Sequence, residues 1–86
     1  MGLDTVELVM AIEEELHIEI PDAIATRLGV LGDMHDYIVR ALQQRGETPD
    51  ESKVWQRLSA VVVAQLGVRP EEVTRSAHVV RDLLTD

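Results

Sequence analysis

Four carboxylates near the start of the chain, Asp4, Glu7, Glu13 and Glu14, are the residues whose type and spacing most invite a chemical role. Paired carboxylates can act as general acid and base only where burial sets one apart from the other, and an exposed helix face leaves both solvated. Metal binding is not expected, because His17, His35 and His78 include no i,i+4 pair and the chain has no cysteine. His35 near a helix start and His78 in a loop are expected at the surface. Phosphate-cradling glycine loops and nucleophile elbows are absent from the sequence. No catalytic constellation is left, and the chain is not expected to be an enzyme. The chemistry that remains is electrostatic: a negative face offered to a positive one.

That face belongs to a helix. At about 100° per residue, Val6, Val9, Ile12 and Leu16 fall on one side of the stretch 3–16. Asp4, Glu7, Glu14 and Glu15 gather on the other, with Leu3 and Met10 at the border. Residues 1–22 hold Asp4, Glu7, Glu13, Glu14, Glu15, Glu19 and Asp22 and no Lys or Arg, so this segment carries -7 of the chain's net -8. The helix is expected to end before Pro21, since the residue preceding a proline is pushed out of the helical region.

The remaining elements follow from caps and stops. Asp22 can cap a short connecting helix running through Ala23 to Leu28 and stopped by Gly29. Asp33 is predicted to cap the next helix, with Met34, Ile38, Ala41 and Leu42 on its buried side, Arg40 and Arg45 toward its end, and Gly46 as its stop. Thr48, Pro49 and Glu51 combine a capping hydroxyl, a proline at the first helical position and a carboxylate three residues after the cap, which predicts a third long helix. Val54, Trp55, Leu58, Val61, Val62 and Leu66 form its apolar side, with Trp55 read as core or partner contact, and Gly67 closes it. A structured loop with one helical turn near Pro70 to Val73 is expected after that.

Composition bounds the partners. Eighty-six residues, 45% of them hydrophobic, can bury one small core. That core must be aliphatic, because the chain has one Trp, one Tyr and no Phe. A net charge of -8 argues against nucleic acid and anionic membranes and in favour of basic protein surfaces. No apolar run approaches the roughly 18 residues of a membrane span, and the start MGLDTVEL lacks the features of a signal peptide, so a cytoplasmic protein is expected. MGLDTV also fails as an acylation signal, because Val6 stands where Ser or Thr is wanted.

The stretch LDTVELVMAIEEELHIEIPD closely resembles the second helix of acyl carrier proteins, and GDMHDYI resembles the last helix of that family. VVVAQLGVRPEEVTRSAHVVRDLLTD is similar to the family's first helix and first loop, yet here it comes last. The resemblance covers nearly the whole chain in two exchanged blocks, 1–45 and 49–86. It implies a single all-α, acyl-carrier-protein-like bundle of three long helices plus a short connecting helix, circularly permuted, with the new join around Gly46 and Glu47. In the family the second helix docks on basic patches of partner enzymes, which implies that role for Asp4, Glu7, Glu13 and Glu14.

The family carries a phosphopantetheine arm on a serine in an Asp-Ser-Leu motif at the head of that helix. By register with Leu3 and Asp4, Gly2 stands at the serine's position, and glycine has no oxygen to esterify. Ser52 and Ser59 lie on the third long helix, Ser76 precedes Ala77 in the loop, and Thr5 and Thr85 flank the site without the motif. With Met1 and Asp86 expected side by side there, no cofactor is expected. The reading is therefore a binding module that docks on enzymes of fatty acid or polyketide assembly without itself being loaded. The alternatives are a functional carrier bearing 4'-phosphopantetheine, or a structural dimerisation domain. The monomer is the expected form, with a helix-swapped dimer as its competitor because the join is short.

Overall fold

Four α-helices and one 3-10 turn account for the described secondary structure. They are α1 (Gly2–Leu16), α2 (Asp22–Ala25), α3 (Leu31–Gln44), α4 (Glu51–Leu66) and the turn Pro70–Glu72. The computed structural model describes residues 2–25 and 29–79, with side chains from Val6 onward. The side chain of Asp4, the expected continuation of the short helix to Leu28, and the expected meeting of Met1 and Asp86 lie outside the described residues. Among those residues no strand occurs beyond one antiparallel bridge between Val30 and His78. The fold is all-α, three long helices and a short one, as the sequence implies.

α1 buries Leu8, Ile12 and Leu16, an i, i+4, i+8 line that faces the core. This corrects the helical-wheel expectation: Val6 is 55% exposed, Val9 half-buried, and Leu8 is only 1% exposed. α1 packs more extensively against α4 than any other two elements pack. Burial against that neighbour rotates the inward face toward Leu8, and Val6, about 120° around the helix from Ile12, is left outside. The same core takes Leu31, Met34, Ile38, Val39 and Leu42 from α3, Val54, Leu58 and Val62 from α4, and Ile18, Ile20, Val73, Ala77 and Val79 from the connections. Each large aliphatic side chain buried there contributes roughly 1.5–3 kcal/mol.

Helix ends are closed by identifiable devices. His17 adopts a left-handed φ of 56°, and the Ile18 N–H donates to the Glu13 carbonyl at 3.2 Å, ending α1. Arg57 donates to the Glu15 carbonyl and Arg45 to that of His17, so two cations meet the negative end of the α1 dipole. Gly46, at φ 86°, closes α3: its N–H donates to Gln43, and that of Glu47 to Leu42. Gly67, at φ 68°, closes α4. The expected stops at Gly46 and Gly67 and the turn near Pro70 are all found.

Three expected starts are corrected. α2 opens on the carbonyl of Pro21, which accepts from Ile24 and Ala25, and Asp22 lies inside its first turn. α3 starts at Leu31, two residues before Asp33, with Val30 at the cap and no side-chain capping bond. Its first N–H groups are satisfied from far along the chain: Leu31 donates to the Ala77 carbonyl at 3.0 Å and Gly32 to that of Arg75 at 2.8 Å. Residues 73–79 thus form a strap over the α3 N-terminus, and no local side chain is needed there.

α4 is capped by Asp50, whose carboxylate accepts from the N–H groups of Ser52 at 3.0 Å and Lys53 at 3.3 Å. Thr48 and Pro49 precede the helix instead of opening it, because the carboxylate both caps and complements the dipole better than a hydroxyl. Asp50→Ala is expected to cost about 1 kcal/mol, and Thr48→Ala less than about 0.5 kcal/mol. Urea denaturation of both variants checks this, and equal losses would return the cap to Thr48.

Candidate partner-docking surface

α1 presents the acidic face because its apolar line is spent on the core. Glu7 and Glu14, seven residues and two turns apart, are exposed on the same side and make no ion pair among the described residues. Glu13 is half-buried and its carboxylate accepts from the Ile20 N–H at 2.7 Å, so it holds the segment after α1 against the helix. Glu15 pairs with Arg57 at 3.4 Å across the α1–α4 boundary. The four expected docking acids are therefore not equivalent. Glu7 and Glu14 are exposed, Glu13 has an internal task, and Asp4 is described only as a backbone position on α1.

Between these acids stands apolar surface. Val6 and Met10, one turn apart, are each 55% exposed. They border a cleft of about 350 Å³ whose walls also include Val9, Ile20 and Ala25, with Glu13 and Asp22 adding carboxylates. A second cleft beside it, about 580 Å³, is lined by Met10, Glu13, Glu14, Ile18, Glu19 and Ile20. Apolar contact beside charge is a combination found in protein–protein interfaces, where charge gives orientation and apolar contact gives affinity. The apolar half of this surface was missed in the sequence. The signal available was the angle between Val6 and Ile12, too wide for both to face one neighbour.

A second cluster was also missed. His35, expected at the surface, is 2% exposed and wedged between α3, α4 and the strap. Its Nε2 lies 3.0 Å from the Glu51 carbonyl and its Nδ1 3.1 Å from Arg75 Nη1. Trp55 meets the imidazole edge to face at 5.7 Å between ring centroids. A histidine in the first turns of a helix is buried here because α4 arrives with an acceptor carbonyl and an aromatic ring, neither legible from the α3 sequence. His78 is half-buried in the bridge to Val30.

Among hydroxyls, Ser52 and Ser76 are exposed, while the Ser59 Oγ is buried in α4 without a hydrogen-bond partner. Gly2 is the first residue of α1 and, as a glycine, has no side-chain hydroxyl. Among the described residues no helix is long and apolar enough to cross a membrane.

Over 37 residues, 43% of its length, the chain is 61% identical to the mitochondrial acyl carrier protein of Saccharomyces cerevisiae, and the match covers 30% of that protein. Over 37 residues it is 56% identical to an acyl carrier protein of Wolinella succinogenes, covering 49% of it. The chain thus spans between about a third and a half of the curated relatives it matches. No family model and no solved structure matches the chain.

Proposed function

We propose that this chain is an acyl-carrier-protein-like binding module that docks through α1 on basic surfaces of enzymes that build fatty acids or polyketides. The observation that carries the reading is the pairing of exposed Val6 and Met10 with Glu7 and Glu14, which are exposed and make no ion pair among the described residues, on a segment of charge -7. The partial identity to two acyl carrier proteins supports it. Asp4 and Glu13 complete the proposed docking set, Glu13 through the cleft that it lines. Loading is proposed to be absent, since phosphopantetheine is held by a phosphate ester to a hydroxyl and Gly2 has none. We further read the two blocks as a circular permutation within one domain, joined at residues 45–48, and as a cytoplasmic monomer. One of the two relatives is a mitochondrial protein, so the compartment stays part of the proposal.

Three measurements test this reading. Incubation with a phosphopantetheinyl transferase and coenzyme A is expected to leave the intact mass unchanged; an added arm would establish a functional carrier. Glu7→Lys with Glu14→Lys is expected to weaken binding to a basic carrier-docking enzyme by about tenfold at low salt, while circular dichroism stays unchanged. That loss should shrink at higher salt, because exposed charges are screened beyond about 8 Å at physiological ionic strength. Undiminished binding by the folded double variant would remove this face from the interaction. A dimer mass by light scattering, independent of concentration, would replace the monomer with a swapped form or a dimerisation domain.

A further inference from the structure

Residues 17–20 connect α1 to α2 without belonging to either helix, and contacts from elsewhere hold their backbone. Arg45 donates to the His17 carbonyl, and the Tyr37 hydroxyl to that of Glu19 at 3.4 Å. Glu13 holds the segment at two points: its carbonyl accepts from the Ile18 N–H at 3.2 Å and its carboxylate from the Ile20 N–H at 2.7 Å. Ile20 is 3% exposed and forms a wall of the cleft of about 350 Å³ beside Val6 and Met10. The other apolar walls, Val9 on α1 and Ala25 on α2, are fixed by helices. The Ile20 wall stands where a side-chain bond puts it.

We propose that Glu13 is a positioning residue for docking: its bond to the Ile20 N–H sets the wall of an apolar cleft in which a basic partner protein seats an apolar side chain. This rests on the docking reading of α1. The cleft calls for an apolar occupant because Val6, Val9, Met10, Ile20 and Ala25 line it. That occupant projects from a basic surface, because Asp22 stands at the same cleft and residues 1–22 hold seven carboxylates and no Lys or Arg.

Glu13 is not the group that meets the partner's cations. It is half-buried with one oxygen taken by Ile20, whereas Glu7 and Glu14 are exposed. Without the carboxylate, the Ile20 N–H is left on a buried residue and must find another acceptor, so the segment shifts and carries the Ile20 side chain with it. A wall held in place before the partner arrives also removes the cost of ordering it on binding.

Glu13→Gln and Glu13→Ala lose the same charge, but only Glu13→Gln keeps an oxygen for the Ile20 N–H. A difference between them therefore belongs to the bond and not to the field. The probe is an immobilised condensing enzyme of fatty acid assembly with a basic carrier-docking face. Kd is measured for the full chain at low and at physiological salt, where circular dichroism shows each variant folded. Glu13→Ala is expected to bind about tenfold more weakly than Glu13→Gln at both salt concentrations, as the loss of one buried hydrogen bond implies. Amide exchange at Ile20 should quicken in Glu13→Ala and stay close to the parent rate in Glu13→Gln. Should Glu13→Ala fail to fold, Glu13→Asp decides: it keeps the charge but its carboxylate falls one carbon short of Ile20, so it is expected to bind more weakly than Glu13→Gln. Equal binding by Glu13→Gln and Glu13→Ala, or parent-like binding by Glu13→Asp, would overturn the positioning role. On the same enzyme, Glu7→Lys with Glu14→Lys separates the two readings: if that pair loses binding while Glu13→Gln and Glu13→Ala agree, docking stands and the role of Glu13 falls. A parent chain that does not bind, or that forms a dimer dispersed by Met10→Lys, would overturn both.

Discussion

Truncating Leu8 to alanine is expected to cost about 2–5 kcal/mol, while truncating Val6, two residues earlier on the same helix, costs less than about 0.5 kcal/mol. Both residues are branched aliphatics in one run of sequence, and a hydropathy argument values them alike. Their surroundings differ: Leu8 is 1% exposed in the core cluster with Ile12, Leu58 and Val62, and Val6 is 55% exposed. Removing Leu8 leaves a cavity where α1 meets the core, and a small domain has only about 5–15 kcal/mol in total to lose. Urea denaturation followed by circular dichroism measures both variants. Comparable losses at the two positions would mean that the inward face of α1 is the one drawn from Val6 and Val9.

Gly32→Val is expected to lower stability by about 2–3 kcal/mol. A Cβ at residue 32 would stand 2.9 Å from the Arg75 carbonyl oxygen, the atom that accepts the Gly32 N–H at 2.8 Å. The obstacle is backbone in the strap, not the free end of a side chain, so relief requires moving the segment that caps α3. Helix propensity pulls the other way, since valine is a better helix former than glycine by a few tenths of a kcal/mol. Thermal unfolding decides between the two effects. A variant as stable as the parent would show that the strap yields without consequence, and would weaken the case for its contact with the α3 N-terminus.

The surface acids behave differently from either of these sites. Charge reversal at Glu7 and Glu14 is expected to act on association and leave the fold alone, because neither side chain contributes to the core or to an ion pair among the described residues. Glu13, adjacent in sequence, bonds the Ile20 backbone, so its substitution would mix docking with stability.

Much of this chain could be read locally. The existence of the long helices, the ends at Gly46 and Gly67 and the turn at Pro70 each depend on a few consecutive residues whose backbone preferences agree. The acidity of α1 is likewise a property of composition, and it needs no neighbour to be recognised. Other features depend on which element arrives alongside. Leu8 rather than Val6 points inward because α4 lies along that side of α1. Asp33 caps nothing because carbonyls some forty residues away already hold the first N–H groups of α3. His35 is buried because Glu51, Trp55 and Arg75, from two other segments, supply what its ring requires. Side-chain pattern along one segment records which residues tend to be buried or to cap; the direction of burial and the partner of a polar group are set by contacts distant in sequence, which periodicity does not encode.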